Sequence, residues 1–439
     1  MLSQNFPRVL VIGAAPLNQA DATGITLSNL FKGWPADCVA QIYDSESVPD
    51  AALCPRHWRF SSQDIPTVRL LKGLLQKSSR RNPRSEIENS GGSKAIPPSS
   101  SVDIGLLSAY SDVMPIRLPK SLREWVREFR PDVIYSVLGS VRMMNIVLSL
   151  SREFSLPIVP HFMDDWPSTT YGRKSVFWFP NVVLNRKLRS VLERSEVGLT
   201  IGADMSSEFN QRYGKTFREF MNCVDLIDEE SEKEIRGNAA VKFVFSGGLH
   251  LNRWRSLAAV AEALECLREE GYAVSLLICT PRRDIERYGS VFSKYAVVEG
   301  IISVQADAVS SVLSAADVLV HVESFLESDS HYTRLSVSTK IPQYMAAGKP
   351  ILAVGPISLS SVRYVRSAGA GLVVDSVEDI SAVVQVARLL CESPSLRKSL
   401  GVNGRQTAAE HHDARKVRAR FFSVLAAAKQ RVNVEASPA

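Results

Sequence analysis

Along most of this chain, short apolar runs alternate with stretches in which apolar residues recur at helical spacing, the pattern left by parallel sheets covered with helices. One series of runs predicts strands at residues 8–13, 38–43, 133–137, 157–161 and 197–201. A second predicts them at 241–246, 274–279, 297–300, 318–321, 350–354 and 371–374. Between the two lies a polar, charge-rich stretch, 228–238, without apolar periodicity. The pattern divides the chain into an α/β unit over 1–230, a linker at 231–239, a second α/β unit over 240–405 and a helical, basic end over 406–439. Open parallel sheets bind ligands beyond the carboxyl ends of their strands, so the cleft between two such sheets is the expected site.

One segment interrupts the alternation. Residues 78–101, rich in Ser, Pro, Gly and Arg, cannot bury enough surface to order themselves and are expected to be a disordered insert. Just before them Leu70, Leu71, Leu74 and Leu75 share one helix face, while Arg69, Lys72 and Gln76 share another, which predicts a short amphipathic basic helix.

Composition narrows the classes. The 439 residues are 45% hydrophobic, enough for a core in each unit, and at roughly 100 to 200 residues per domain the length favours two to four domains. The longest uncharged stretches run twelve and thirteen residues, at 9–20 and 350–362, short of the ~18 that a spanning helix needs. The apolar start at 8–12 lacks a signal peptide's cleavage pattern and reads as a buried strand. Six scattered cysteines with no CxxC pair fit a reducing, cytoplasmic setting without structural zinc. A net charge of +6 is too small for a dedicated nucleic-acid binder. That charge is unevenly spread: residues 68–94 hold seven basic groups against two acidic ones, so five of the six net charges sit there. The segment is a candidate contact with an anionic membrane or an acceptor held at one; an ordinary domain helix with a solvated face is the alternative.

Chemistry gathers at the predicted strand ends. Ser338 is placed to cap a helix that ends at Gly348, with Pro342 in its first turn. Free N–H groups, the hydroxyls of Ser338 and Thr339 and the Lys340 ammonium make an anion site suited to a phosphate, unless the helix is simply a capped one with a solvated lysine. Strand 241–246 runs into Gly247 and Gly248, with Arg253 and Arg255 at the following helix start. Strand, Gly-rich turn and helix is the general phosphate-binding layout, although such glycines also serve packing alone. In the first unit the loop from Gly13 to Gly24 is no GxGxxG fingerprint, so a dinucleotide is not expected; Gly24 either admits a phosphate to the helix start or caps the helix. His161 ends strand 157–161, and Asp164 and Asp165 follow it. Such groups bind sugar hydroxyls or manage a proton near neutral pH, and a position facing the cleft is expected to set this histidine apart from a core one. Asp164-Asp165 is the nearest approach to a metal-binding carboxylate pair, and neither metal nor cofactor is expected.

Three segments, Ser338-Thr-Lys-Ile-Pro-Gln-Tyr-Met-Ala-Ala-Gly-Lys-Pro350, Ala315-Ala-Asp-Val-Leu-Val320 and His161-Phe-Met-Asp-Asp-Trp-Pro167, resemble the retaining GT-B glycosyltransferases of family 4, especially those assembling bacterial surface polysaccharides. The resemblance covers nearly the whole chain and is strongest over 241–374. It implies two Rossmann-like, doubly wound parallel-sheet domains, the first for acceptor and the second for a nucleotide-sugar donor, with a C-terminal helix returning to the first. It also implies Arg253 and the Ser336–Lys340 turn on the donor pyrophosphate, His161 beside the donor sugar, Gly24 in the first loop, and backbone near Gly300 on the nucleobase. Two departures stand out. Family members often carry two glutamates eight positions apart, where this chain has Leu335 and Gln343; Gln343 can hydrogen-bond ribose, but Leu335 has no polar role, leaving Glu323 or Arg334 to substitute. Gly248 stands where many members have an arginine, with Arg255 as the replacement.

The implied function is transfer of a sugar, with retention, from a nucleoside diphosphate sugar to a glycan or lipid-linked acceptor in cell-surface polysaccharide biosynthesis. The expected location is the cytoplasm or the inner face of the cell membrane, with no nucleic-acid partner. The alternatives are a non-catalytic subunit that binds nucleotide sugar or glycan, which the departures favour, and a GT-B sugar-nucleotide epimerase or hydrolase.

Overall fold

The computed structural model describes residues 6–19, 22–60, 108–171, 175–226 and 240–435. The insert at 78–101, the basic segment 68–94 and the linker 231–239 lie outside the described residues.

The first sheet contains β1 (Val9–Gly13), β2 (Val39–Tyr43), β3 (Arg56–Arg59), β4 (Val133–Val137), β5 (Ile158–Phe162), β6 (Val197–Thr200) and β7 (Thr216–Glu219), in the order β3-β2-β1-β4-β5-β6-β7. The second contains β8 (Val241–Ser246), β9 (Val274–Cys279), β10 (Val298–Ile302), β11 (Val318–Val322), β12 (Ile351–Val354) and β13 (Gly371–Val374), in the order β10-β9-β8-β11-β12-β13. Every pairing between these strands is parallel. Each sheet starts at its centre and reverses direction once, between β1 and β4 and between β8 and β11. These are the two doubly wound domains of the expected GT-B arrangement, each with a topological switch point where crevices open.

Two strands escaped the sequence pattern, β3 and β7. Both are edge strands of four residues, mostly polar and exposed. An edge strand needs no continuous apolar run, because one side of its ladder faces outward. The central strands do need one: β1 and β2 are buried at every position.

Strand alternation splits the core of the first unit in two. Leu10 and Ile12 face a cluster with Leu122, Val126 and Ile146, whereas Val9 and Val11 face one with Leu27, Phe31 and Phe421. Phe421 belongs to the last helix, Ala414–Glu435, which crosses back from the second unit and lies on β4 and β5. Its ring meets Phe31 edge-on at 5.1 Å and Tyr135 at 5.3 Å. The crossing is fixed just before this helix, where Val224 N donates to His412 O and Ala414 N to Val224 O, both at 2.9 Å.

A second tie runs the other way. Leu335 belongs to the second unit, yet it is buried in the hydrophobic core of the first. Arg334 beside it pairs with Glu208 across the junction at 2.7 Å, and Arg363 pairs with Asp204 at 2.6 Å. The position where the resemblance implied a glutamate is therefore used for packing between the units.

Candidate functional site

A cleft of about 240 Å³ lies at the switch points of the two sheets. The first unit lines it with Thr23, Thr26, Met163 and Asp164. The second unit supplies the turn after β8 (Gly247, Gly248, His250), the residues ending β11 (His321, Glu323) and the run from Ser336 to Lys340.

The chain around Lys340 is held from three directions. Ser338 O accepts from Ile341 N at 3.1 Å ahead of the helix Lys340–Ala346, but the N-cap place falls to Thr339 and not to the expected Ser338; Gly348 follows the helix in the left-handed region, φ +66°. Ser338 N donates to Ser361 Oγ at 3.0 Å, and Thr339 O accepts from Asn222 Nδ2 of the first unit at 2.9 Å. Pro342 costs nothing in the first turn, where an amide N–H would have no helical partner. Lys340 itself is half-buried and has no ion pair or hydrogen bond to its ammonium among the described residues. Burial alone pushes its pKa down. Ser336 Oγ, in the same wall, is buried with no partner among the described residues.

The other expected cation is already matched. Arg253 Nε and Nη2 lie 3.0 and 2.9 Å from Glu323 Oε2, and His321 Nε2 lies 3.3 Å from Glu323 Oε1. Glu323 is 2% exposed. Burial pushes its carboxyl up, but the Arg253 guanidinium and then the His321 imidazole more than reverse this and hold it at about 2. The carboxylate thus stays ionised and fixes the guanidinium against the cleft wall, while Lys340 has no anion beside it among the described residues.

Asp164 reaches the cleft from the first unit. Its Oδ2 accepts from Tyr332 Oη of the second unit at 2.7 Å, and its Oδ1 accepts from Trp166 N at 3.1 Å. Burial pushes its carboxyl up.

Several expected site residues sit elsewhere. His161 is fully buried and does not line the cleft. It shares a face of β5 with Val159, which points toward Tyr135 and the returning helix, and its Nδ1 lies 2.6 Å from Tyr135 Oη. Burial lowers its pKa to about 3, so it is a neutral core histidine and not a group beside a donor sugar. Asp165 is buried against Arg212, with Nη1 to Oδ1 at 2.7 Å and Nη2 to Oδ2 at 2.9 Å, and acts within the first unit. Arg255 is exposed and stacks over Trp254 at 4.8 Å from the ring centroid, outside the cleft, so it does not replace the arginine missing at Gly248. Gly24 is in place for packing: a Cβ there would come within 2.6 Å of Asn18 O and 2.9 Å of Pro16 O. Gly300 lies within β10, not after it, on the far edge of the second sheet. Gln343 is also outside the lining, its Oε1 buried with no partner among the described residues.

Sequence reasoning missed His321, His250 and Tyr332, which do line the cleft. His321 carried a usable signal. It closes a predicted strand next to the switch point, as His161 does, but in the unit whose loops build most of the cleft. Burial and then the Arg253 charge lower the pKa of His250. Among the described residues, no group of three or more His, Cys, Asp and Glu could hold a metal ion.

No protein-family model and no curated protein matches the chain. Solved structures do match its fold. Sucrose-phosphate synthase from Thermosynechococcus elongatus is 12% identical over 98% of this chain and 100% of that one, with a TM-score of 0.58. α,α-Trehalose 6-phosphate synthase from Burkholderia multivorans is 12% identical over 99% of both chains, with a TM-score of 0.58. WaaG, a glycosyltransferase involved in lipopolysaccharide biosynthesis, is 14% identical over 95% of this chain and 99% of that one, with a TM-score of 0.53.

Proposed function

We propose that this chain is a glycosyltransferase that moves a sugar from a nucleoside diphosphate sugar to a glycan or lipid-linked acceptor, with retention, in cell-surface polysaccharide biosynthesis. The observation that carries the reading is Lys340: a half-buried ammonium in the interdomain cleft with no anion beside it among the described residues. Leaving a cation partly desolvated costs stability, and a site that keeps one is prepared for an anionic ligand. The neighbouring hydroxyls of Ser336, Ser338 and Thr339 add donors to the same wall. A diphosphate leaving group gathers negative charge as the glycosidic bond breaks, and preorganised donors of this kind stabilise it where the charge develops. The fold supports the reading, since structures named as a sucrose-phosphate synthase, a trehalose 6-phosphate synthase and a lipopolysaccharide glycosyltransferase share it.

In this reading Lys340 holds the departing phosphate. Arg253, kept rigid by Glu323, presents its remaining N–H groups beside it. Asp164, tied to Tyr332 across the cleft, orients the acceptor side. The protein works in the cytoplasm or at the inner face of the cell membrane, on an acceptor presented there, and no protein nucleophile is assigned. The direct test incubates the purified protein with a panel of nucleoside diphosphate sugars and glycan acceptors and reads the product anomer by NMR. An α-linked product from an α-configured donor supports the reading, and an inverted product rejects retention.

A second reading, a non-catalytic nucleotide-sugar binder, is favoured by one observation: Arg253 is neutralised by Glu323. It predicts that the same panel shows saturable binding without consumption of donor.

A further inference from the structure

Away from the cleft, the first unit carries an apolar surface that its described residues leave uncovered. Trp178, Phe179 and Val182, at the start of the helix Trp178–Glu193, are 65%, 41% and 55% exposed. Tyr110 stacks on Phe179 with ring centroids 6.1 Å apart, its hydroxyl donates to Val176 O at 3.3 Å, and Trp178 meets Phe179 edge-on at 5.8 Å. Contacts of this kind make one continuous patch, unlike the single apolar residues scattered over any surface.

The next turns of the same helix are cationic. Arg186 and Arg189 continue the face begun by Trp178 and Val182. Lys187 and Arg152 flank them. None of these four side chains has an ion pair among the described residues, and the one acid of the helix, Glu193, is its last residue. Burial, and then repulsion from Arg152 and Arg186, push the Lys187 pKa down.

We propose that this face docks on the surface of an anionic lipid bilayer, with Trp178, Phe179 and Val182 entering the headgroup region and the adjoining cations pairing with lipid phosphates. Charge decides among occupants. A second copy across a two-fold axis would bring the same cations face to face, whereas an anionic membrane offers both an apolar layer and counter-charges. The docking face deepens the proposed function by giving a lipid-linked acceptor a place to be met, and it rests on that reading only for its biological sense. Vesicle binding needs neither donor nor acceptor, so loss of binding and loss of turnover are separate results.

The test sediments the full chain with phosphatidylcholine vesicles and with vesicles in which about a third of that lipid is replaced by phosphatidylglycerol. The protein is expected to bind the anionic vesicles, less so as salt rises. Trp178→Ala with Phe179→Ala, and separately Arg186→Gln with Arg189→Gln, should each weaken binding by about tenfold. All four residues are exposed, and unchanged thermal midpoints would confirm intact folds. Wild-type protein that ignores anionic vesicles, or variants that bind as wild type does, would overturn the proposal. So would a concentration-dependent dimer that the same substitutions abolish.

Discussion

Glu323 keeps its charge because Arg253 and His321 surround it, and this sets an acid limit on the second unit. Its carboxyl sits at about 2 in the fold against an ordinary 4.5. The unfolded chain therefore takes up a proton first as the pH falls. The stabilisation is complete above 4.5 and is lost between 4.5 and about 2, with a total of about 3 kcal/mol. Glu323→Gln should remove that part of the acid slope in urea titrations and release Arg253. His161 acts with the other consequence. Its pKa falls from 6.5 to about 3, so the native state stays neutral while the unfolded state becomes charged. Stability is then unaffected above pH 6.5 and declines below it, by up to about 1.4 kcal/mol per pH unit. His161→Gln should flatten the profile between 6.5 and 3 and leave turnover intact. A turnover collapse at full stability would return His161 to the reacting centre.

At the scale of elements, the most legible parts were the buried central strands, whose two covered faces demand continuous apolar runs. The polar edge strands β3 and β7 were invisible for the same reason. The helix before Gly348 was legible because proline and glycine chemistry are local, although its N-cap falls on Thr339, one residue after the expected Ser338. His161 was misread because a strand end shows where a side chain stops along the sheet, but not which face it takes. That face is decided by the helix Ala414–Glu435, some 250 residues further on. Leu335 was legible only as a missing glutamate; its burial in the other unit's core depends on how the two units meet. Leu335→Ala should cost about 2–5 kcal/mol and loosen the junction, read as a lower unfolding midpoint and faster proteolysis near the linker. An unchanged midpoint would show that the contact contributes little.

For the whole molecule, two apolar ties between the units stand out among the described residues: Leu335 entering the first core, and the last helix covering the first sheet. The second tie predicts that the first unit cannot hold its sheet face without the final helix. Phe421, packed on Phe31, Tyr135 and Phe220, is the test residue. Phe421→Ala should lower stability by about 3–5 kcal/mol, visible as an earlier denaturant midpoint, although it lies far from the cleft. Between these ties the cleft is built from both units, and Lys340 is its cation without an anion among the described residues. The central claim is that this charge meets the donor phosphates. The measurement that bears on it most directly is kcat for Lys340→Ala, with the nucleoside diphosphate sugar that the wild type consumes. The predicted result is a fall of about 10²-fold or more at an unchanged unfolding midpoint, and turnover within about twofold of wild type would contradict it.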